Sequence, residues 1–163
     1  MKVNIKKQLF IYLVFLFFFS IFHLYIKSSV GNDSTISEWL INYTGGFTKR
    51  GIIGQICIFF SRLLSSDLRE VIFYFQSITI GFYYFLVFNF LKNVKCDRIF
   101  LLSIFTPIFL LYPVAEVEVL ARKETFLFII ILIYLTISIN NKNLINLSKL
   151  VLLPLGILIW EPL

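Results

Sequence analysis

The chain has 163 residues, 59% of them hydrophobic and 15% charged, against roughly 45–50% and about 25% in an ordinary soluble domain. A soluble fold of this size leaves much of its surface wet and cannot hide so much Phe, Ile and Leu, and at 18% aromatic residues the chain is not a disordered one. The apolar excess has to face lipid. The net charge is +6, from 15 Lys and Arg against 9 Asp and Glu, yet in a membrane protein the placement of charge matters more than its sum, and no nucleic-acid partner is expected. Two cysteines, Cys57 and Cys96, and the single His23 are too few for a thiolate or imidazole metal site.

Apolar runs in chain order predict an all-α fold: a polytopic transmembrane helical bundle of about four complete spans plus the start of a fifth. The first covers 9–26, preceded by Lys2, Lys6 and Lys7 and followed by no Ala-x-Ala-like cleavage site, so it reads as an uncleaved helix. The second, 71–91, is about 21 residues and roughly 32 Å long, enough for a hydrocarbon core of about 30 Å. The third is 99–114, with Pro107 and Pro113 as kinks, and the fourth is 124–139. The fifth, 150–163, is too short to cross where the sequence ends at Glu161-Pro162-Leu163. The whole chain thus reads as one transmembrane region, the N-terminal portion of a larger bundle completed by further C-terminal helices or another membrane subunit.

The stretch 51–64 is apolar but only about 14 residues long, a length that fits a helix lying in the interface better than one that crosses. Ile52, Ile56, Phe59, Phe60 and Leu63 recur at helical spacing, which lets one face lie in lipid while Gln55 and Arg62 meet water. Charge supports that placement. With the N-terminus inside, the cytoplasmic side carries Lys2, Lys6, Lys7, Lys92, Lys95, Arg98, Lys142 and Lys149 against Asp97 alone; a crossing at 51–64 would put Lys92, Lys95 and Arg98 outside. The other eight carboxylates then fall on the outer side, seven of them in or beside the loops 27–70 and 115–123 and Glu161 at the end of the fifth run. Cys57 and Cys96 are separated by the membrane and cannot pair.

The first outer loop is long for a plain connection, a property common in functional loops. It holds Asn42-Tyr43-Thr44-Gly45-Gly46-Phe47-Thr48-Lys49-Arg50-Gly51, just before the interface helix. Glycines admit an anion close to the backbone, a helix start offers free N–H groups, and Lys49 and Arg50 add charge, which together suit a phosphate or pyrophosphate at the membrane surface. A nucleotide P-loop is excluded because Ile52 and Ile53 follow Gly51 where Lys and Ser/Thr are required. The bland alternative is a Gly-rich turn touching lipid head groups.

The second outer loop contains Glu116, Glu118, Arg122, Lys123 and Glu124 between two apolar spans. One reading is an interfacial helix end with internal pairs, Glu118 with Arg122 and Glu116 with Lys123. The other takes Glu116 and Glu118 as an acidic pair able to hold Mg²⁺ or Mn²⁺, cations that prefer oxygen ligands and bridge to substrate phosphates; Arg122 and Lys123 would then contact the same phosphates. His23, Trp39 and Trp160 read as membrane-interface side chains.

An acid soon after the first span, a long first outer loop with an interface helix, and an acid-x-acid pair between the third and fourth spans resemble the start of the C-type membrane glycosyltransferases, the superfamily that includes the oligosaccharyltransferases. The Gly-Gly-Phe-x-Lys-Arg-Gly and Arg-Lys-Glu segments are similar to polytopic proteins of bacterial envelope polysaccharide assembly. The resemblance implies a bacterial inner-membrane protein that transfers or polymerises sugars from a polyprenyl-phosphate-linked saccharide at the outer face. Asp33 matches the first-loop acid, with Glu38 as its competitor, for the role of metal ligand or catalytic base; Glu116 and Glu118 match the metal-binding pair; Lys49, Arg50, Arg122 and Lys123 fall to the carrier phosphate. The readings that compete with an enzyme are a lipid-linked saccharide translocator or transport subunit, whose outer charges line a pathway, and a nonfunctional fragment.

Overall fold

The computed structural model describes residues 2–30, 34–46, 48, 51–93, 120–140 and 154. The described residues are all-helical, in five elements: α1 (Lys2–Ser29), α2 (Ser34–Leu40), α3 (Gly51–Leu64), α4 (Leu68–Asn93) and α5 (Glu124–Asn140). The expected spans at 99–114 and 150–163 lie, apart from Pro154, outside the described residues.

Two helices are long and apolar enough to cross a membrane, Lys6–Ser29 of α1 and Leu68–Lys92 of α4, with mean hydropathy of 2.4 and 1.7. Both outrun the apolar windows of the sequence, because Lys6 and Lys7 at one end and Lys27 at the other are good helix formers that extend the run into the polar zone. α5 covers the expected fourth span with 17 residues, fewer than the ~20 that a helix along the bilayer normal needs.

α4 is the hub. It packs against α1, α2, α3 and α5, and its partners fix the directions of the chain. Tyr25 meets Phe73, Phe17 meets Tyr84 and Phe10 meets Phe88, with ring centroids 6.2, 6.4 and 5.4 Å apart, so α1 and α4 are antiparallel. Gly81 lets α1 approach: a Cβ there would stand 3.1 Å from the Phe17 ring. At mid-height Ser20 donates to the Leu16 carbonyl at 2.7 Å, leaving its oxygen to accept from the Tyr84 hydroxyl at 3.0 Å. Phe126, at the start of α5, packs against the cluster that holds Val71 and Ile72 from the start of α4, while Ile129 and Leu132 join the cluster that holds Ile80, Tyr83 and Val87. α4 and α5 therefore run in the same direction.

The faces turned away from these contacts are as apolar as the core. Phe15, Phe18 and Phe22 of α1 are 60–65% exposed, and Tyr74, Ile78 and Phe85 of α4 59–69%. Apolar side chains on both the packed and the open face of a helix are what a lipid environment permits. α3 divides differently. Gly51, Ile53, Gly54 and Cys57 are buried, whereas Ile56, Phe59, Phe60, Leu63 and Leu64 are exposed on the opposite side. Gly54 is required by contact: a Cβ would collide with the Ile41 carbonyl.

Candidate functional site

A cluster of interacting polar groups lies at one end of the bundle, where α2, the start of α3 and residues 120–125 meet. α2 is a single short helix whose Thr35, Ile36 and Trp39 point inward. Lys27, in the last turn of α1, donates to the Thr35 hydroxyl at 3.0 Å and ties α2 to the end of α1. Trp39 is fully buried among Ile36, Ile53, Cys57, Val71 and Ile72, with its ring 5.6 Å from that of Phe126. Its indole N–H donates to the Ala121 carbonyl at 2.8 Å. The membrane-anchor role expected of Trp39 gives way to a core role, because a tryptophan is accepted in a dry site once its N–H has a partner.

Ala121 itself is held at φ 58, a left-handed conformation that disfavours an L residue by roughly 1–2 kcal/mol. That conformation turns the chain into α5, whose first turn closes with Thr125 and Phe126 N–H donating to the Arg122 and Lys123 carbonyls at 3.0 Å. The turn also aims the next side chain at α2. Arg122 Nη2 and Nε donate to one oxygen of Glu38, Oε1, at 2.5 and 3.2 Å, and Nε lies 3.8 Å from Glu124 Oε2. Glu38 and Arg122 are part-exposed, at 20% and 36%, so the pair faces outward at the rim while Trp39 closes the floor beneath it. Lys123 points the other way and is 2% exposed. Burial pushes the Cys57 thiol up to about 11, and the positive charge of Lys123 pulls against that rise.

The Gly-rich segment begins beside this junction. Tyr43 to Gly46 form a turn closed by Gly46 N–H to the Tyr43 carbonyl at 3.1 Å, and Gly46 takes φ +120, which a side chain would resist. Asn42 organises the turn from within: its Oδ1 accepts from the Thr44 N–H at 2.9 Å and from the Thr44 hydroxyl, and its carbonyl accepts from Thr48 Oγ1 at 2.9 Å. The turn is fastened to α3 through Gln55, which accepts from the Tyr43 N–H at 3.4 Å.

Comparison of the chain with protein families, curated proteins and solved structures finds no match in any of the three. The site has to be understood from its own residues.

Of the candidate residues, Glu38, Arg122 and Lys123 are within the described chain; Asp33, Lys49, Arg50, Glu116 and Glu118 lie outside the described residues. Glu38 and Arg122 are brought into direct contact, although 84 residues separate them. Sequence spacing offered Glu118, outside the described residues, as the partner of Arg122; within them Arg122 hydrogen-bonds Glu38 and lies 3.8 Å from Glu124. Lys123 is packed in the floor behind the Glu38–Arg122 pair. No group of three or more His, Cys, Asp or Glu side chains suited to a metal occurs among the described residues. His23 makes edge-to-face contacts with Phe19 and Phe22, at centroid distances of 4.4 and 5.8 Å. In the sequence pattern Lys27 and Cys57 had no role in the site and Trp39 had a different one: the indole's partner is 82 residues away, and an indole or a thiol shows no periodicity that would mark it as the floor of a site.

What the arrangement offers chemically is a rim of paired charge over an apolar floor. Glu38 Oε1 is occupied by Arg122, which orients the carboxylate and leaves Oε2 as its second acceptor oxygen. A carboxylate so held suits a proton acceptor or a metal ligand, and an arginine fork suits phosphate.

Proposed function

We propose that the chain is a membrane glycosyltransferase of the polyprenyl-phosphate-dependent kind, transferring or polymerising saccharides at the outer face of a bacterial inner membrane. The observation that carries this reading is the contact of the two outer segments through Glu38–Arg122 and Trp39–Ala121. It joins the end of the first outer segment to the end of the second, which supports a reading in which the acids of both loops serve one site. Glu38 or Asp33 would accept the proton of the acceptor hydroxyl or bind metal; Glu116 and Glu118 would hold Mg²⁺ or Mn²⁺, whose Lewis acidity neutralises charge on the departing phosphate. Arg122, with Lys49 and Arg50, would hold that phosphate, and the charge of Lys123 in the floor adds to the positive potential.

The topology that goes with this reading has about four spans, with the N-terminus cytoplasmic and α3 in the outer interface. Its support is geometric: α4 and α5 run in the same direction, with Asn93 at one end of the bundle and Ala121 at the other, an arrangement that agrees with the expected span at 99–114. The apolar outer face of α3 supports the interface placement.

Membranes carrying Glu116→Gln, Glu38→Gln or the double variant Lys49→Ala/Arg50→Ala, each inserted at wild-type level, should lose the cell-surface polysaccharide, and purified protein should transfer saccharide only with Mg²⁺ or Mn²⁺. Normal polymer from all three variants would overturn the reading. A translocator is the second reading, favoured by one observation: Gln76 Nε2, Tyr83 Oη and Thr125 Oγ1 are buried without hydrogen-bond partners, polar groups that a polar substrate admitted into the bundle would satisfy. Loss of flipping of a lipid-linked saccharide in Gln76→Leu/Tyr83→Phe, with metal-independent turnover, would replace the first reading by the second.

A further inference from the structure

A second feature lies at the opposite end of the bundle from Glu38. Between α1 and α4 the structure leaves an almost wholly apolar groove of about 220 Å³, walled by Phe10, Val14 and Phe17 on one side and Phe85 and Phe88 on the other, with Gly81 as its floor. Phe10, Val14 and Phe85 are 53%, 36% and 59% exposed, so the groove opens outward between two helices of spanning length. Hydrocarbon is the medium such an opening meets.

The helical registers decide what fits it. On α1 the groove stripe 10, 13/14, 17 continues backward by one turn to Lys6 and Lys7, and on α4 the stripe 81, 85, 88 continues forward by one turn to Lys92. Because the Phe10 and Phe88 rings are 5.4 Å apart, the two continuations converge at the same mouth of the groove. All three lysines are exposed. Lys92 Nζ donates to Asn89 Oδ1 at 2.6 Å, and none of the three is ion-paired with a carboxylate among the described residues. Three ammonium groups over an apolar slot match one kind of molecule in both halves: a negative head joined to a hydrocarbon tail.

We infer that this groove is a binding site for an anionic glycerophospholipid, with its phosphate at Lys6, Lys7 and Lys92 and an acyl chain lying over Gly81 between α1 and α4. The site rests on the membrane reading of α1 and α4 and not on the transfer reaction, so the two stand or fall separately.

The full chain, reconstituted in nanodiscs, is exposed to phosphatidylglycerol or phosphatidylcholine carrying a photoactivatable group in the acyl chain, and labelled peptides are read by mass spectrometry. The expected result is labelling concentrated on 10–17 and 81–88 and stronger with phosphatidylglycerol. The head-group preference should fall by on the order of fivefold for each lysine replaced in the series Lys6→Gln, Lys7→Gln and Lys92→Gln. Gly81→Leu, which fills the groove floor, should lower labelling by both probes. The surface lysine series keeps the test open if Gly81→Leu does not fold. Equal labelling by the two lipids, labelling spread evenly to Phe18 and Phe22, or a crosslink between two copies through Phe10 and Phe85 would each overturn the site, the last by showing that a second chain fills the groove.

Discussion

The junction of α2 with residues 120–125 and the open face of α1 reverse the familiar relation between polarity and burial. At the junction a lysine, Lys123, is 2% exposed and a threonine, Thr35, 1%; along α1 the phenylalanines Phe15 and Phe18 are each 65% exposed. The two regions differ in what surrounds them. Only 22% of the apolar window of α1 is buried against 50% for α4, so α1 leaves most of its apolar side chains uncovered and holds a buried polar contact, the Ser20–Tyr84 hydroxyl pair. The junction, by contrast, collects backbone and side-chain polar groups at one end of the helices and pairs several of them, Lys27 with Thr35, Trp39 with Ala121 and Glu38 with Arg122. Polarity in this molecule is sorted by depth along the bundle and not by distance from its axis.

That contrast can be broken most severely at its floor. Trp39→Ala removes a fully buried indole and orphans the Ala121 carbonyl; a loss of about 3–5 kcal/mol is expected, seen as a large drop in the thermal midpoint of the detergent-solubilised protein, with Trp39→Phe losing less. A polar change on the open face should act through the bilayer instead. Phe18→Asp places a charge near the middle of α1 and should cost insertion about 3 kcal/mol, measured as the inserted fraction, and should leave the packing of α1 on α4 little changed in detergent. A third, smaller effect concerns the rim: in a double-mutant cycle, Glu38→Ala and Arg122→Ala should couple by roughly 1 kcal/mol, as befits a part-exposed pair. The charge-reversed double variant Glu38→Arg/Arg122→Glu should recover part of that coupling.

The smallest effect is expected at Cys57. Folded, its thiol holds the proton up to about 11, above the ordinary 9.0; the unfolded chain releases it earlier. The folded state therefore binds more protons in this window, and the contribution of Cys57 is unchanged at neutral pH and falls as pH rises from about 9 through about 11. Cys57→Ala should flatten the alkaline limb of the stability profile. The same burial makes Cys57 slow toward maleimide at neutral pH in the folded protein, so topology is better mapped by an exposed residue such as Thr44, as Thr44→Cys.

The helices were legible where composition and spacing act locally. The run 51–64 coincides with α3 because its glycines and outward apolar residues share one helical period, and the windows of α1 and α4 were too narrow because the charged residues at the helix ends, Lys6 and Lys7 on α1 and Arg69, Glu70 and Lys92 on α4, count as polar while remaining helical. The junction was not legible. Glu38 and Arg122 are 84 residues apart and Trp39 and Ala121 are 82 apart; nothing local distinguishes Glu38 from the acids around it, and the left-handed turn at Ala121 that aims Arg122 carries no glycine to announce it. Tertiary docking of a seven-residue helix selected these partners.

The account turns on whether α2 and residues 120–124 form one site at the same end of the bundle. Glu38→Cys and Arg122→Cys, introduced together in a Cys57→Ala/Cys96→Ala background, are treated in native membranes with a short bifunctional thiol reagent that does not cross the bilayer. An intramolecular crosslink, lost when Arg122→Cys is replaced by Gln8→Cys at the opposite end of α1, is the predicted result. Efficient single labelling of both cysteines without a crosslink would contradict it.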